Sequence, residues 1–179
     1  MAKFLMKELV TDGDIVTARL GAGSGSANNI DDKEVHKAVK LVADSRYDLC
    51  AAGDPIEGFI ASVESATLDG YSIGSVQVEG RKEVTFNGLQ TTPGTGTIAV
   101  GDYVVMGAAV AKGTALAASN SNNVTKATMQ PGVTAATVIG DVAPMLKVAM
   151  QAWRVVSLGS AGTGAVGTTG VIERVNGAA

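Results

Sequence analysis

The sequence is poor in several of the residues that chemistry usually needs. It has one cysteine, Cys50, which excludes an intrachain disulfide and a cysteine-ligated cluster. It has one histidine, His36, and one His with one Cys are too few soft ligands for a structural zinc site. Aromatics make up only 4% of the chain, so the side chains that bury most area per residue are scarce. Basic residues are not in excess: 14 Lys and Arg stand against 17 Asp and Glu, a net charge of −3. A duplex-binding protein needs the opposite balance to displace counterions from phosphate, so nucleic acid is not expected as a partner. The densest basic stretch, residues 33–46, lies among Asp32, Glu34 and Asp44. Long apolar runs are also missing. No window approaches the roughly 18 uncharged apolar residues of a membrane span. Lys3, Lys7 and Glu8 interrupt the apolar start, which therefore lacks the core of a signal peptide. Synthesis in the cytosol of the producing cell is expected, with no membrane partner.

What the chain does have is small residues. Gly accounts for 23 of 179 positions, well above the usual ~7%. Ala, Val and Thr supply much of the rest, and mean hydropathy is +0.24. Without a membrane segment, that hydropathy points to apolar surface covered by other subunits.

Turn signals set the fold class. Gly53-Asp54-Pro55, Asp69-Gly70, Glu79-Gly80, Asn87-Gly88 and Met106-Gly107 punctuate residues 53–113. The spacing of about eight to twelve residues is that of an all-β sandwich or barrel. Strands are predicted over 15–20, 38–42, 56–63, 71–78, 83–89, 97–105, 108–111, 153–158 and 171–175. Residues 133–142 are apolar and β-branched. Residues 145–153 fit a period of two and of 3.6 equally well, so helix and strand both stand there. One short helix is predicted within 28–37, capped by Asp31 or Asp32, with Glu34 in its first turn. Residues 119–123, S-N-S-N-N, read as an exposed polar loop. No repeat of fixed period is visible, which argues against a solenoid. The Gly/Ser run at 21–26 behaves as a linker. The chain is therefore divided into an N-terminal arm, 1–26, and a single β-rich domain, 27–179. A plain first strand followed by a surface loop is the alternative for the arm.

Motifs for catalysis fall short. Gly162-Thr163-Gly164-Ala165-Val166-Gly167 spells G-x-G-x-x-G, but a strand-like T-T-G-V-I-E-R-V follows, with no helix and no later acid for a ribose. Gly21 to Ser26 lacks G-K-[ST], and Lys112-Gly113-Thr114 has the wrong order for a phosphate loop. Thr11-Asp12-Gly13-Asp14 lacks the spacing of a calcium loop and reads as a turn. Asn123-Val124-Thr125 is a glycosylation sequon by letter only. His36 has Lys33, Glu34 and Lys37 as neighbours and reads as solvated. Cys50, between Leu49 and Ala51, reads as a small buried residue rather than a nucleophile, which would need a His partner and a lowered pKa. No catalytic, cofactor-binding or metal-ligating residue is assigned, and no small-molecule substrate. The chain reads as non-enzymatic.

Three stretches carry a family resemblance. They are K-L-V-A-D-S-R-Y-D-L-C-A-A-G-D-P-I-E-G-F-I from Lys40, T-I-A-V-G-D-Y-V-V-M-G from Thr97, and W-R-V-V-S-L with G-V-I-E-R-V from Trp153 to Val175. In style they resemble the capsid decoration, or cement, proteins of tailed bacteriophages, over most of residues 38–175. The resemblance implies a β-sandwich, jelly-roll or small β-barrel of β-tulip type, with an extended N-terminal arm. It implies a virion protein on the outer capsid surface, bound to the major capsid protein and self-associated as a dimer or trimer on a symmetry axis. It carries no catalytic residues. The competing expectation is a tail or adhesin-type module that recognises a surface glycan. That reading would need exposed aromatics, and the chain offers Trp153 and three tyrosines. A small hydrolase and a minor head or tail-tube subunit are further alternatives.

Overall fold

A computed structural model describes residues 14–21, 29–42, 46–64, 72–116, 122–127 and 153–175. The fold is all-β, and no α-helix occurs among the described residues. No helix there is long and apolar enough to cross a membrane.

Ten strands close into two five-stranded barrels. The first uses β1 (Ile15–Leu20), β2 (Ala38–Val42), β3 (Arg46–Leu49), β4 (Gly58–Glu64) and β5 (Ser72–Gln77), in the order β1-β3-β2-β4-β5. The second uses β6 (Arg81–Leu89), β7 (Tyr103–Met106), β8 (Asn123–Lys126), β9 (Trp153–Ser157) and β10 (Thr169–Arg174), in the order β10-β6-β8-β7-β9. Each barrel has one parallel contact, β1 with β3 and β6 with β8, and is otherwise antiparallel. Among the described strands, closure leaves neither barrel a sheet edge to template pairing with another chain.

The two barrels are the same device built twice. If β1 to β5 are matched in turn with β6 to β10, the order around the barrel and every strand direction agree. The register agrees residue by residue as well. Leu20 faces Tyr47 as Phe86 faces Val124. Val76 faces Val16 as Ile172 faces Lys82. A bulge sets Ser62 beside Ser75 and, at the matching place, Ser157 beside Val171. The loops repeat too. Val78 N–H donates to Asp14 O at 2.9 Å, and Arg174 N–H to Gly80 O at 3.1 Å. Cys50 N–H donates to Ala38 O at 3.1 Å, and Ala127 N–H to Tyr103 O at 2.9 Å. At the bulge both barrels use glycine, Gly74 and Gly170. A Cβ there would collide with the Ser62 or Ser157 carbonyl and with Leu20 or Phe86.

The core follows the barrels but crosses between them. Leu20, Ile30, Val39, Ile60 and Val76 fill the first. Val84, Phe86, Ile98, Val104, Val124, Trp153, Val155 and Ile172 fill the second, and the same cluster takes in Ala38, Cys50, Ile56 and Phe59 from the first.

Most predicted strands are present, with informative exceptions. The strand expected over 97–105 starts only at Tyr103, because residues 99–102 turn. Asp102 accepts from Ala99 N–H at 2.8 Å, and Gly101 takes φ 92°. Residues 108–111 form no strand. The expected helix shrinks to a 3-10 turn, Asp32–Glu34, with Asp31 as cap and Glu34 closing a capping box. The polar loop at 119–123 is not exposed where it is described: Asn122 is 2% exposed and Asn123 opens β8. Strand β3 was not predicted, its alternation of Tyr47 and Leu49 with Arg46 and Asp48 being only four residues long. Ile15–Leu20, placed in the arm by composition, is a wall of the first barrel. Residues 1–13, 22–28, 133–142 and 145–152 of the earlier readings lie outside the described residues.

Candidate functional site

The seam between the barrels gathers three buried polar residues, Glu34, Lys37 and Asn122. The 3-10 turn brings Glu34 and Lys37 inward, both at most 4% exposed. Glu34 Oε1 accepts from Lys37 Nζ at 3.4 Å and from Gly113 N–H at 2.6 Å, while Oε2 accepts from Asp31 N–H at 3.1 Å. Lys37 Nζ also donates to Ala111 O at 3.0 Å. The segment after β7 is thus strapped across the first barrel. Lys112-Gly113-Thr114 is this strap, not a phosphate loop.

Asn122 ties the barrels a second time. Its Nδ2 donates to His36 O at 2.7 Å, and its Oδ1 accepts from Ala38 N–H at 3.0 Å. A reciprocal backbone pair adds a third tie: Gly53 N–H donates to Met106 O at 2.7 Å, and Met106 N–H to Asp54 O at 2.9 Å. At the other side, Arg174 Nη1 donates to Ile56 O and Glu57 O, both at 3.2 Å, with the Glu57 carboxylate 3.8 Å away. Between these ties Phe59 meets Trp153 edge-on, centroids 5.0 Å apart at 81°. Lys82 Nζ lies 5.5 Å from the Phe59 ring centroid.

The residues singled out from sequence now have places. Cys50 is 4% exposed and its thiol points to Pro55 O at 3.7 Å. Burial pushes that thiol up to about 12, and the Asp54 carboxylate adds to the effect. A thiol held this far above neutrality is no nucleophile. A cleft beside it, lined by Lys37, Leu49, Met106, Val110 and Asn122, has about 10 Å³ of room, one water at most. His36 is exposed, and the fold does not hydrogen-bond it to Cys50. Burial first, and then the Lys82 charge, hold its pKa below the usual value. In G-T-G-A-V-G the middle glycine, Gly164, packs against the Ile98 carbonyl so closely that no side chain fits. Ile98 N–H donates to Gly164 O at 2.9 Å, so this loop is a packing element. Asn123 sits in β8, and its Nδ2 reaches Ala108 O at 3.5 Å. Of Thr11 to Asp14 only Asp14 is described. Of the aromatics that could stack on a sugar, Trp153 is fully buried and Tyr103 is exposed. No group of three or more potential metal ligands occurs among the described residues.

Three residues of the seam escaped the sequence reading: Asn122, Gly113 and Lys82. Only Lys82 had a signal. It shares the parity of Val84 and Phe86 in β6, so the period of two turns it inward.

Comparison of the chain with protein-family models, with curated proteins and with solved structures gives no match.

Proposed function

We propose that this chain is a structural virion protein that binds the outer surface of a tailed-bacteriophage capsid and stabilises the shell by bridging capsomers. The observation that carries the reading is a braced two-barrel body with apolar side chains facing outward on both halves. Ile15 at 55% exposure, Leu41 and Ile73 mark the first barrel; Val100 at 59%, Tyr103 and Val166 mark the second. The barrels share a wall plan, but these outward residues are not at matching positions. One chain therefore offers two differently arranged apolar surfaces, one on each barrel, as a clamp between two neighbours requires. Small apolar contacts of this kind gain about 25 cal/mol per Å² buried. Dimers or trimers on a symmetry axis would multiply that gain.

The test mixes purified protein with shells assembled from a major capsid protein. Co-sedimentation and a higher temperature of shell disruption are expected. Leu41→Glu with Ile73→Glu, or Val100→Glu with Val166→Glu, should each lower occupancy without lowering the melting temperature of the free protein. Deleting residues 1–13 removes the proposed arm while leaving β1 intact, and should also lower occupancy. Failure to bind shells, or unchanged binding by both double variants, would overturn the reading. Binding to a glycan array instead would favour the adhesin-type alternative.

A further inference from the structure

The seam joins two unlike surfaces of two like barrels. The second barrel contributes one end: Lys82, Met106, Asn122, Trp153 and Arg174 all reach the first barrel from there. The first barrel contributes a side wall. Ala38 and Phe59 point outward from β2 and β4, opposite in parity to the core residues Val39 and Ile60, and join the second barrel's cluster. Because the barrels match residue by residue, each also carries the surface that the seam uses on the other.

Both of these second surfaces are open among the described residues. At the end of the first barrel, Val16 matches Lys82 and Leu41 matches Met106. Met106 is 3% exposed, but Leu41 is 51% and Val16 38% exposed. On the wall of the second barrel, Tyr103 matches Ala38. Ala38 is 2% exposed and Tyr103 39%. His36, whose carbonyl Asn122 holds in the seam, matches Gly101. Both have left-handed backbones, φ 73° and 92°, and their N–H groups donate to Ile60 O at 2.7 Å and Val155 O at 2.8 Å. The wall that the seam covers on the first barrel is thus rebuilt on the second and left open.

Bulk is exchanged between the two surfaces. The second barrel's end carries Trp153 and meets a wall with Ala38; the first barrel's end has Gly58 in the place of Trp153, matched to a wall with Tyr103. The cation changes sides as well. Lys82 faces Phe59 across the seam, whereas Val16 replaces Lys82 and Arg154 replaces Phe59. An arginine stem lies on apolar surface with its head in water.

We infer that the chain binds a second copy of itself head to tail: the β7–β9 wall of one copy docks on the open end of the first barrel of the next, repeating the seam between chains. Such a heterologous contact closes into a ring or extends into a filament. The strap through Ala111 and Gly113 belongs to the long connection after β7, and the connection after β2 is residues 43–45 alone. The contact between chains therefore lacks the strap, and it forms reversibly. The inference does not rest on the capsid reading, because free chains make the contact.

Light scattering on the full chain, after size-exclusion chromatography, reads its mass against the 18.0 kDa of one copy. The parent should exceed that mass, the more so as concentration rises. Leu41→Glu disables the end and Tyr103→Glu disables the wall. Each should run as a monomer with the parent's melting temperature; Val16→Glu and Tyr103→Lys serve if either does not fold. An equimolar mixture of the two variants keeps one intact contact per pair, so it should run at twice the monomer mass and no higher. A monomeric parent overturns the inference, as does a mixture that stays monomeric or a Tyr103 variant that assembles as the parent does. Assembly that appears only when residues 1–13 are deleted overturns it too, because the chain's own start then covers the open end. A monomeric parent that still binds shells overturns this inference and leaves the capsid reading standing.

Discussion

At position 36 the backbone enters a conformation that costs an L-residue about 1–2 kcal/mol, and the second barrel meets the same need with Gly101. The pair invites an exchange. Gly101 has open space where a Cβ would stand, so Gly101→Ala measures backbone strain alone. A loss of about 1–2 kcal/mol in denaturant unfolding is expected. His36→Gly relieves that strain but adds freedom to the unfolded chain, worth about 0.5–1 kcal/mol. Its stability should stay within about 1 kcal/mol of the parent. A large loss would show that the imidazole itself holds the fold. Cys50 gives a second test at this scale. Its thiol goes from about 12 when folded to an ordinary 9.0 when unfolded. Between those values the unfolded chain has lost the proton and the folded one has kept it, so stability falls as pH rises from about 9 towards 12. Thermal melts at pH 8 and pH 10.5 should show the drop, and Cys50→Ala should remove part of it. In the native protein at pH 7, Cys50 should be silent to a disulfide reagent and react once the chain unfolds.

Elements were legible in the sequence where their own residues decide them. Ala38–Val42 and Arg81–Leu89 alternate or branch, and both are strands. D-D-K-E predicts a short capped helix; the cap forms, with Asp31 and Glu34 as the reciprocal box, but the helix is only a 3-10 turn. The turn stops after three residues because Val35 is extended at ψ 137° and His36 is left-handed, which no propensity signals. Elements were illegible where the partner decides. R-Y-D-L alternates over only four residues and N-V-T-K shows no apolar alternation, yet β3 and β8 each complete a barrel by lying parallel to its first strand. The strap from the β7 end to Glu34 depends on a contact 79 residues away. That strap is testable as an element. Glu34→Ala leaves the buried Lys37 ammonium without a carboxylate, held only by Ala111 O, and should cost about 3–5 kcal/mol. Adding Lys37→Met to it removes the lone charge, so the double variant should be more stable than the single one in denaturant unfolding. If the two losses simply add, Lys37 is stabilised by Ala111 O and not by Glu34.

On the scale of the molecule, the duplication is clear in the hydrogen bonds and hidden in the letters. Among matched strand positions only Val39 with Val104, Ser62 with Ser157 and Gly74 with Gly170 are identical. A small barrel asks only that inward positions be apolar and fit the taper, so Leu20 can become Phe86 and Val76 can become Ile172. The spacing also drifts, because the chain between β8 and β9 is far longer than between β3 and β4, and no fixed period survives. What the sequence did carry was the all-β class, through its turns. Whether two like barrels behave as one body is decided at the seam. Phe59 leaves its own barrel's core for the other's, and with Trp153, Asn122 and the Glu34 strap it makes either half incomplete without its neighbour. Calorimetry of the intact chain should therefore give one transition, with calorimetric and van't Hoff enthalpies equal. Phe59→Ala removes the central contact at a cost of about 3–5 kcal/mol. Phe59 is not part of the cluster that fills the first barrel, so the loss should fall on the seam and split the transition in two. Two transitions in the unaltered protein would mean that the seam ties are too weak to couple the barrels, and the clamp reading would lose its rigid body.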